Sequence, residues 1–128
     1  MMKEFNMKEH GFSMKSEFGE LAISTDSEYG FRPFELMLAS IVGCSSAAFR
    51  VVLTKMRMDF KNIKVLTEIE RNQTQANRIE KIHLHFVIQG GKLSEEKIER
   101  AISIARKNCA MIQSVQDSIL VTETFEIN

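Results

Sequence analysis

The sequence predicts an α+β domain, because strand-like and helix-like patterns occupy separate stretches of the chain. Apolar and polar residues alternate near the N-terminus and again between Ile63 and Ile88, which is the period of half-buried strands. A long apolar run with helical composition begins at Pro33, the only proline. The 128 residues suit one domain, residues 1–128. We therefore expect the order β-β-β-α-β-β-α-β.

The first 25 residues predict three short antiparallel strands. Pairs of apolar residues recur with one residue between them, and turn-forming residues separate the pairs. A polar loop over residues 26–32 then leads to the proline. The three pairs are Phe5 and Met7, Phe12 and Met14, and Leu21 and Ile23.

A long helix is predicted from Pro33 to about Met58. Proline presets φ for a first helical turn, where its missing N–H is not needed. The helix is apolar on all sides, so we expect it to be buried on all sides, with a second copy of this small chain helping to cover it. Because Glu35 and Arg50 bracket an apolar run shorter than a bilayer requires, no membrane partner is expected.

The second half of the chain predicts two strands, a second helix and a final strand. The strands lie over Ile63–Ile69 and Ile82–Ile88, and Ser94 can cap the helix, whose first turn is acidic. The final strand lies over residues 119–127. Six residues form one face of the second helix at spacings of three and four, namely Ile98, Ala101, Ile102, Ala105, Cys109 and Ile112.

Charge and cysteine content narrow the classes of function. The chain has 17 basic and 17 acidic residues, so no overall field recruits nucleic acid, and a small molecule or a protein partner is expected instead. The N-terminus has no signal-peptide pattern, which favours the cytoplasm, where thiols are kept reduced. The 2 cysteines are then either packing residues or a redox pair.

Cys44 lies in the middle of the long helix beside small residues, so a ligand has room next to its sulfur. Gly43 carries a helix penalty of about 1 kcal/mol, which implies that another helix or a substrate approaches the backbone there. A reactive thiol also needs a cationic or hydrogen-bonding environment. Arg50 and Glu35 lie on other sides of the helix, so Arg32 is the nearest candidate cation by sequence.

His83 and His85 form a His-x-His pair on one face of a predicted strand, a pattern that can chelate a transition metal. A third ligand is not evident, and the cysteines lie on other elements. An exposed or dimer-facing pair is therefore favoured, and no metal is expected.

Several motifs together resemble one known family. They are Pro33-x-Glu35-Leu36-x-Leu38-Ala39 with Gly43-Cys44-Ser45, the Gly-x-x-Leu-Ser-Glu-Glu turn at residues 90–96, and Ala105-Arg106-Lys107-Asn108-Cys109. Over essentially its whole length the chain resembles the OsmC/Ohr family, the osmotically inducible and organic hydroperoxide resistance proteins. The resemblance implies the OsmC-like fold, an intertwined homodimer with two long central helices enclosed by sheets.

The resemblance also implies reduction of organic hydroperoxides or hydrogen peroxide. Cys44 would be the peroxidatic thiolate and would become a sulfenic acid. Cys109 would resolve it as a disulfide that a dithiol then reduces. The resemblance implies neither a metal nor an organic cofactor.

Two departures from the family's peroxidases make the chain resemble the divergent OsmC-like branch. Residues 1–31 lack the arginine expected from the N-terminal strands, and Phe34 occupies the position of the family's glutamate, one residue before Glu35. Arg32 and Glu35 are the substitutes expected to act with the cysteines. The alternative function is a non-catalytic dimer that binds a small apolar ligand or senses redox state through its thiols.

Overall fold

The computed structural model describes all of residues 1–128 and divides into two compact units, Met1–Ala39 and Ser40–Asn128. One helix runs across the boundary between these units. The element order is that of an α+β fold, as predicted, with one helix more than expected. The elements are β1 (Phe5–Lys8), β2 (Gly11–Lys15), β3 (Glu20–Ile23), α1 (Pro33–Lys55), β4 (Phe60–Asn72), β5 (Arg78–Gly90), α2 (Glu95–Lys107), α3 (Ala110–Val115) and β6 (Leu120–Ile127).

The first unit contains a three-stranded antiparallel sheet in the order β1-β2-β3, which confirms the predicted strands. Its register pairs Phe5 with Met14 and Met7 with Phe12, and continues to Leu21 and Ile23 on β3. Directly paired residues share a face, so all six apolar side chains lie on one side of the sheet. Phe5, Met7 and Phe12 are 52%, 79% and 50% exposed, so this face is largely open to solvent.

Helix α1 begins at Pro33 as predicted but ends at Lys55 rather than near Met58. Arg57 adopts a positive φ of 57°, the left-handed conformation that commonly closes a helix. The Met58 N–H then donates to the carbonyl of Leu53 at 3.0 Å. The prediction was wrong here because apolar composition continues past the residue whose backbone stops the helix.

Within the chain α1 is buried along one stripe only. Its buried residues recur every four positions, which is one face of a helix, and the opposite face leaves Val51 53% exposed. The burial expected on all sides included a second copy of the chain, and the single chain covers one stripe of α1. By length and composition α1 could cross a membrane, a test that core helices of globular domains also pass. The buried stripe consists of Ile41, Ser45, Phe49 and Leu53.

The second unit contains the hydrophobic core. β4 pairs antiparallel with β5, and β5 pairs parallel with β6. The inward side chains of β5 are buried, and the ring of Phe86 on β5 lies 5.0 Å from the ring of Phe49 on α1. Other buried residues include Leu53, Ile82, Leu84, Ile88, Ile98, Ala101, Ala105, Ile112 and Val121.

The predicted second helix is two helices, α2 and α3, separated by a bend at Asn108 and Cys109. Ser94 caps α2 as predicted, accepting the N–H of Lys97. At the other end the Asn108 amide donates to the Ile104 carbonyl at 2.9 Å, and Cys109 leaves the helix with φ −89° and ψ 105°. Asparagine competes with helical hydrogen bonds in this way, so the helix ends before Cys109. Cys109 therefore occupies a bend and not the predicted helix face.

Candidate active site

The structure brings Cys44 and Cys109 together, although they are far apart in the sequence. Both are free thiols: Cys44 is half-buried on α1, and Cys109 is fully buried at the bend between α2 and α3. The sulfur of Cys44 is in hydrogen-bond contact with the backbone N–H groups of Met111 and Ala110 and with the thiol of Cys109. Two of the four predicted site residues thus form one cluster.

These contacts favour the ionised form of Cys44. The Met111 N–H has the largest effect and lowers the pKa of the Cys44 thiol from its ordinary value of 9.0. The Cys109 thiol and the Ala110 N–H act in the same direction, and burial opposes them. Donors directed at the charged form of a group stabilise that form.

The pKa of the Cys109 thiol is shifted in the opposite direction, upward. Burial is the largest cause and raises the pKa of the Cys109 thiol above 9.0, while the N–H of Ile112 partly offsets it. The neighbouring Cys44 also raises the pKa of Cys109 through its hydrogen bond and its charge. Cys44 therefore ionises first, while Cys109 keeps its proton and donates it in a hydrogen bond.

The bend between α2 and α3 supplies the donors of this site. The first N–H groups of a helix have no partner within that helix, and Ala110 and Met111 open α3. Cys109 caps α3 itself, because its sulfur accepts the Ile112 N–H at 3.5 Å. These donors were missed from the sequence because they are backbone groups. Asn108 was the only local sign that the helix stops before them.

A buried polar network lies beside Cys44 and was also missed. Ser45, 1% exposed, donates to Glu123 Oε2 at 3.3 Å, and the Glu123 side chain is 4% exposed. Arg106 donates to Glu123 Oε1 at 3.0 Å and to the Val121 carbonyl at 2.7 Å. The sequence does indicate that Glu123 points inward, because it lies two residues from both Val121 and Phe125, the inward residues of β6.

Arg32 and Glu35, the other two predicted site residues, pair with each other in the first unit. Arg32 Nε donates to Glu35 Oε1 at 3.0 Å, and the guanidinium lies over the Phe34 ring at 4.7 Å. Their side chains are 43% and 49% exposed, so the ion pair contributes little to stability. The groups that lower the pKa of Cys44 are backbone N–H groups and a thiol, where a guanidinium was expected.

The His83 and His85 pair lies on the face of the second sheet opposite the core. The ring nitrogens of His83 contact the hydroxyls of Thr122 and Thr124 at 2.6 and 2.9 Å. Those of His85 contact Thr124 at 2.7 Å and Glu126 at 3.0 Å. No group of three or more side chains in residues 1–128 could hold a metal ion. The pair forms a hydrogen-bonded ladder with β6.

Comparison with known proteins connects this geometry to one family. The sequence model described as "OsmC: OsmC-like protein" matches residues 24–124. Protein YhfA of Escherichia coli K12 is 27% identical over 96 residues, which cover 74% of this chain and 72% of YhfA.

Solved structures share this fold. A hypothetical protein of Aquifex aeolicus VF5 has a TM-score of 0.87 at 26% identity, covering 99% of this chain and 95% of the other. An organic hydroperoxide resistance protein of Elizabethkingia anophelis has a TM-score of 0.76 at 18% identity, covering 100% and 99%. The second likeness shows the fold alone.

Proposed function

The chain belongs to the OsmC-like protein family, and on this premise we propose that it is a thiol-dependent peroxidase that reduces organic hydroperoxides or hydrogen peroxide. The observation that carries the proposal is the contact between Cys44 and Cys109, with the pKa of Cys44 lowered and that of Cys109 raised. Two cysteines that only pack against their neighbours would not need thiol pKa values shifted in opposite directions. The name of the structurally similar Elizabethkingia protein supports the class of substrate.

In the first step the Cys44 thiolate attacks the terminal oxygen of the hydroperoxide and the O–O bond breaks. The substrate oxygen that leaves takes a proton and departs as an alcohol, or as water from hydrogen peroxide. Cys44 becomes a sulfenic acid and has been oxidised by two electrons. The N–H groups of Met111 and Ala110 stabilise the thiolate before the attack.

In the second step Cys109 attacks the sulfur of the Cys44 sulfenic acid. A disulfide forms and the hydroxyl leaves as water after taking the proton of the Cys109 thiol. A dithiol then reduces this disulfide by exchange and returns both thiols, so that no metal or organic cofactor takes part. The buried position of Cys109 protects it from direct oxidation before Cys44 reacts. A reducing compartment such as the cytoplasm suits this cycle.

We include a homodimer in the proposal. The apolar face of the β1-β2-β3 sheet and the open face of α1 leave large apolar side chains in solvent, such as Phe5, Met7 and Val51. A Cβ added to Gly43 would meet nothing within 4 Å in this chain, so the space beside this glycine is open for a second copy to approach. A second copy covers such surfaces without a separate partner.

Arg32 and Glu35 are proposed as the charged residues that serve the reaction. Their pairing at the start of α1 fixes the guanidinium and the carboxylate relative to each other. An arginine can stabilise the charge that develops on the departing oxygen. This assignment takes the place of the arginine and the glutamate that the family's peroxidases carry elsewhere.

The proposal is tested by stopped-flow mixing of reduced protein with cumene hydroperoxide, with dithiothreitol as the dithiol. We expect rapid consumption by the wild type and by a control, Glu126→Gln, which alters an exposed residue of β6. Cys44→Ser should abolish consumption, because a serine hydroxyl is not ionised at neutral pH. A wild-type rate equal to that of Cys44→Ser would refute the peroxidase.

A further inference from the structure

The network of Ser45, Glu123 and Arg106 joins the three elements around the thiols. Ser45 follows Cys44 on α1, Glu123 points inward from β6, and Arg106 lies in the last turn of α2, three residues before Cys109. Arg106 is also fixed to β6 by its bond to the Val121 carbonyl. The two sulfur-bearing segments are thus both bound to one buried carboxylate.

We propose that Glu123 is a positioning residue that, through Ser45 and Arg106, holds the Cys44 turn of α1 against the bend at Cys109–Met111. The inference rests on the proposed peroxidase for its purpose, but its geometry stands independently of it. None of the hydrogen bonds of the network is made to the sulfur of Cys44. Its effect is to keep the sulfur within reach of its donors.

The energetics of burial explain why one carboxylate can do this. A carboxylate removed from water is stable only when donors satisfy its oxygens. Glu123 receives one donor from the segment that carries Cys44 and one from the segment that precedes Cys109. Moving α1 away from the bend would leave Oε2 of Glu123 without its donor. The network therefore resists the separation that would break the contacts of Cys44.

The sign of the effect distinguishes positioning from simple electrostatics. A negative charge close to a thiol disfavours the thiolate, so removing a carboxylate that acted only through its charge would lower the pKa of Cys44. Removing a positioning residue has the opposite effect, because the donors of Cys44 then fit less well and the pKa of Cys44 rises. Glutamine keeps the shape and an acceptor oxygen but loses the charge.

The experiment is alkylation of reduced full-length protein by iodoacetamide across a range of pH, with modified Cys44 quantified by peptide mass spectrometry. Iodoacetamide reacts with the thiolate and not with the protonated thiol, so the result does not depend on whether the protein consumes hydroperoxide. The variants are Glu123→Ala and Glu123→Gln, and Glu126→Ala is a matched control that removes a carboxylate from the outer face of β6. Ser45→Ala removes the hydrogen bond between Ser45 and Glu123 without leaving a large cavity, and it serves if Glu123→Ala does not fold.

We expect Glu123→Ala and Ser45→Ala to move the alkylation profile to higher pH and to slow alkylation at neutral pH about threefold or more. Glu123→Gln should stay close to the wild type, and Glu126→Ala should match it. The proposal is overturned if Glu123→Ala, or Ser45→Ala where Glu123→Ala does not fold, leaves the profile unchanged. It is also overturned if Glu123→Gln and Glu123→Ala both shift it to lower pH, or if Glu126→Ala shifts it as much.

Discussion

At the scale of single residues the two cysteines differ in environment rather than in chemistry. Cys44 is half-buried and faces N–H donors, whereas Cys109 is fully buried and has its thiol beside the charge of Cys44. The resemblance to the family pointed to both residues, and the structure brings them together. The donors of Met111 and Ala110 could not be foreseen, because a backbone N–H has no signature in the sequence.

Replacing Cys109 tests the hydrogen bond between the two thiols. Cys109→Ala removes a group that lowers the pKa of Cys44, so that pKa should rise and alkylation of Cys44 near neutral pH should slow. Cys109→Ser keeps both a donor for Cys44 and a good cap for α3, so its shift should be smaller. The pH dependence of iodoacetamide alkylation measures both. Equal profiles for the alanine variant and the wild type would contradict the assigned contact.

At the scale of secondary structure the strands and the start of α1 were predictable, and the bend before Cys109 was not. Alternation placed the strands, and Pro33 marked the first turn of α1. The apolar period from Ile98 to Ile112 continues across the bend, so periodicity cannot detect it. Asn108 interrupts the helix through a side-chain hydrogen bond that the apolar pattern does not register.

The packing of α1 on the second sheet depends on Phe49. Phe49 is 1% exposed and contacts Phe86, which is 0% exposed, with ring centroids 5.0 Å apart. Phe49→Ala should lower the free energy of unfolding by about 3 to 5 kcal/mol, and Phe49→Leu should cost less. Phe18→Ala is the control, since Phe18 is fully exposed, and should change stability by less than about 0.5 kcal/mol. Urea unfolding measures each, and equal stabilities for Phe49→Ala and Phe18→Ala would contradict this packing.

At the scale of the whole molecule the apolar surface exceeds what the chain covers. The sequence predicted a helix buried on all sides with the help of a second copy. The single chain buries one stripe of α1 and leaves the apolar face of the first sheet exposed. A sequence pattern shows which residues need burial, but it does not show whether the same chain or a second copy covers them. The unburied residues therefore support the proposed homodimer.

Gly43→Ala tests that dimer. In a lone chain the added Cβ meets nothing within 4 Å, so alanine should stabilise α1 by about 1 kcal/mol. In the proposed dimer the methyl group meets the partner, so the variant should dissociate at higher protein concentration than the wild type. Sedimentation velocity over a dilution series measures this. A wild type that is monomeric throughout the series would contradict the homodimer.

Single-turnover mass spectrometry shows whether Cys44 and Cys109 are partners in one oxidation. Reduced protein is mixed with one equivalent of cumene hydroperoxide, quenched with an alkylating agent and digested without reductant. We expect a Cys44–Cys109 disulfide in the wild type, and a Cys44 sulfenic acid that dimedone traps in Cys109→Ser. Recovery of both thiols alkylated and intact, with the hydroperoxide unconsumed, would contradict it.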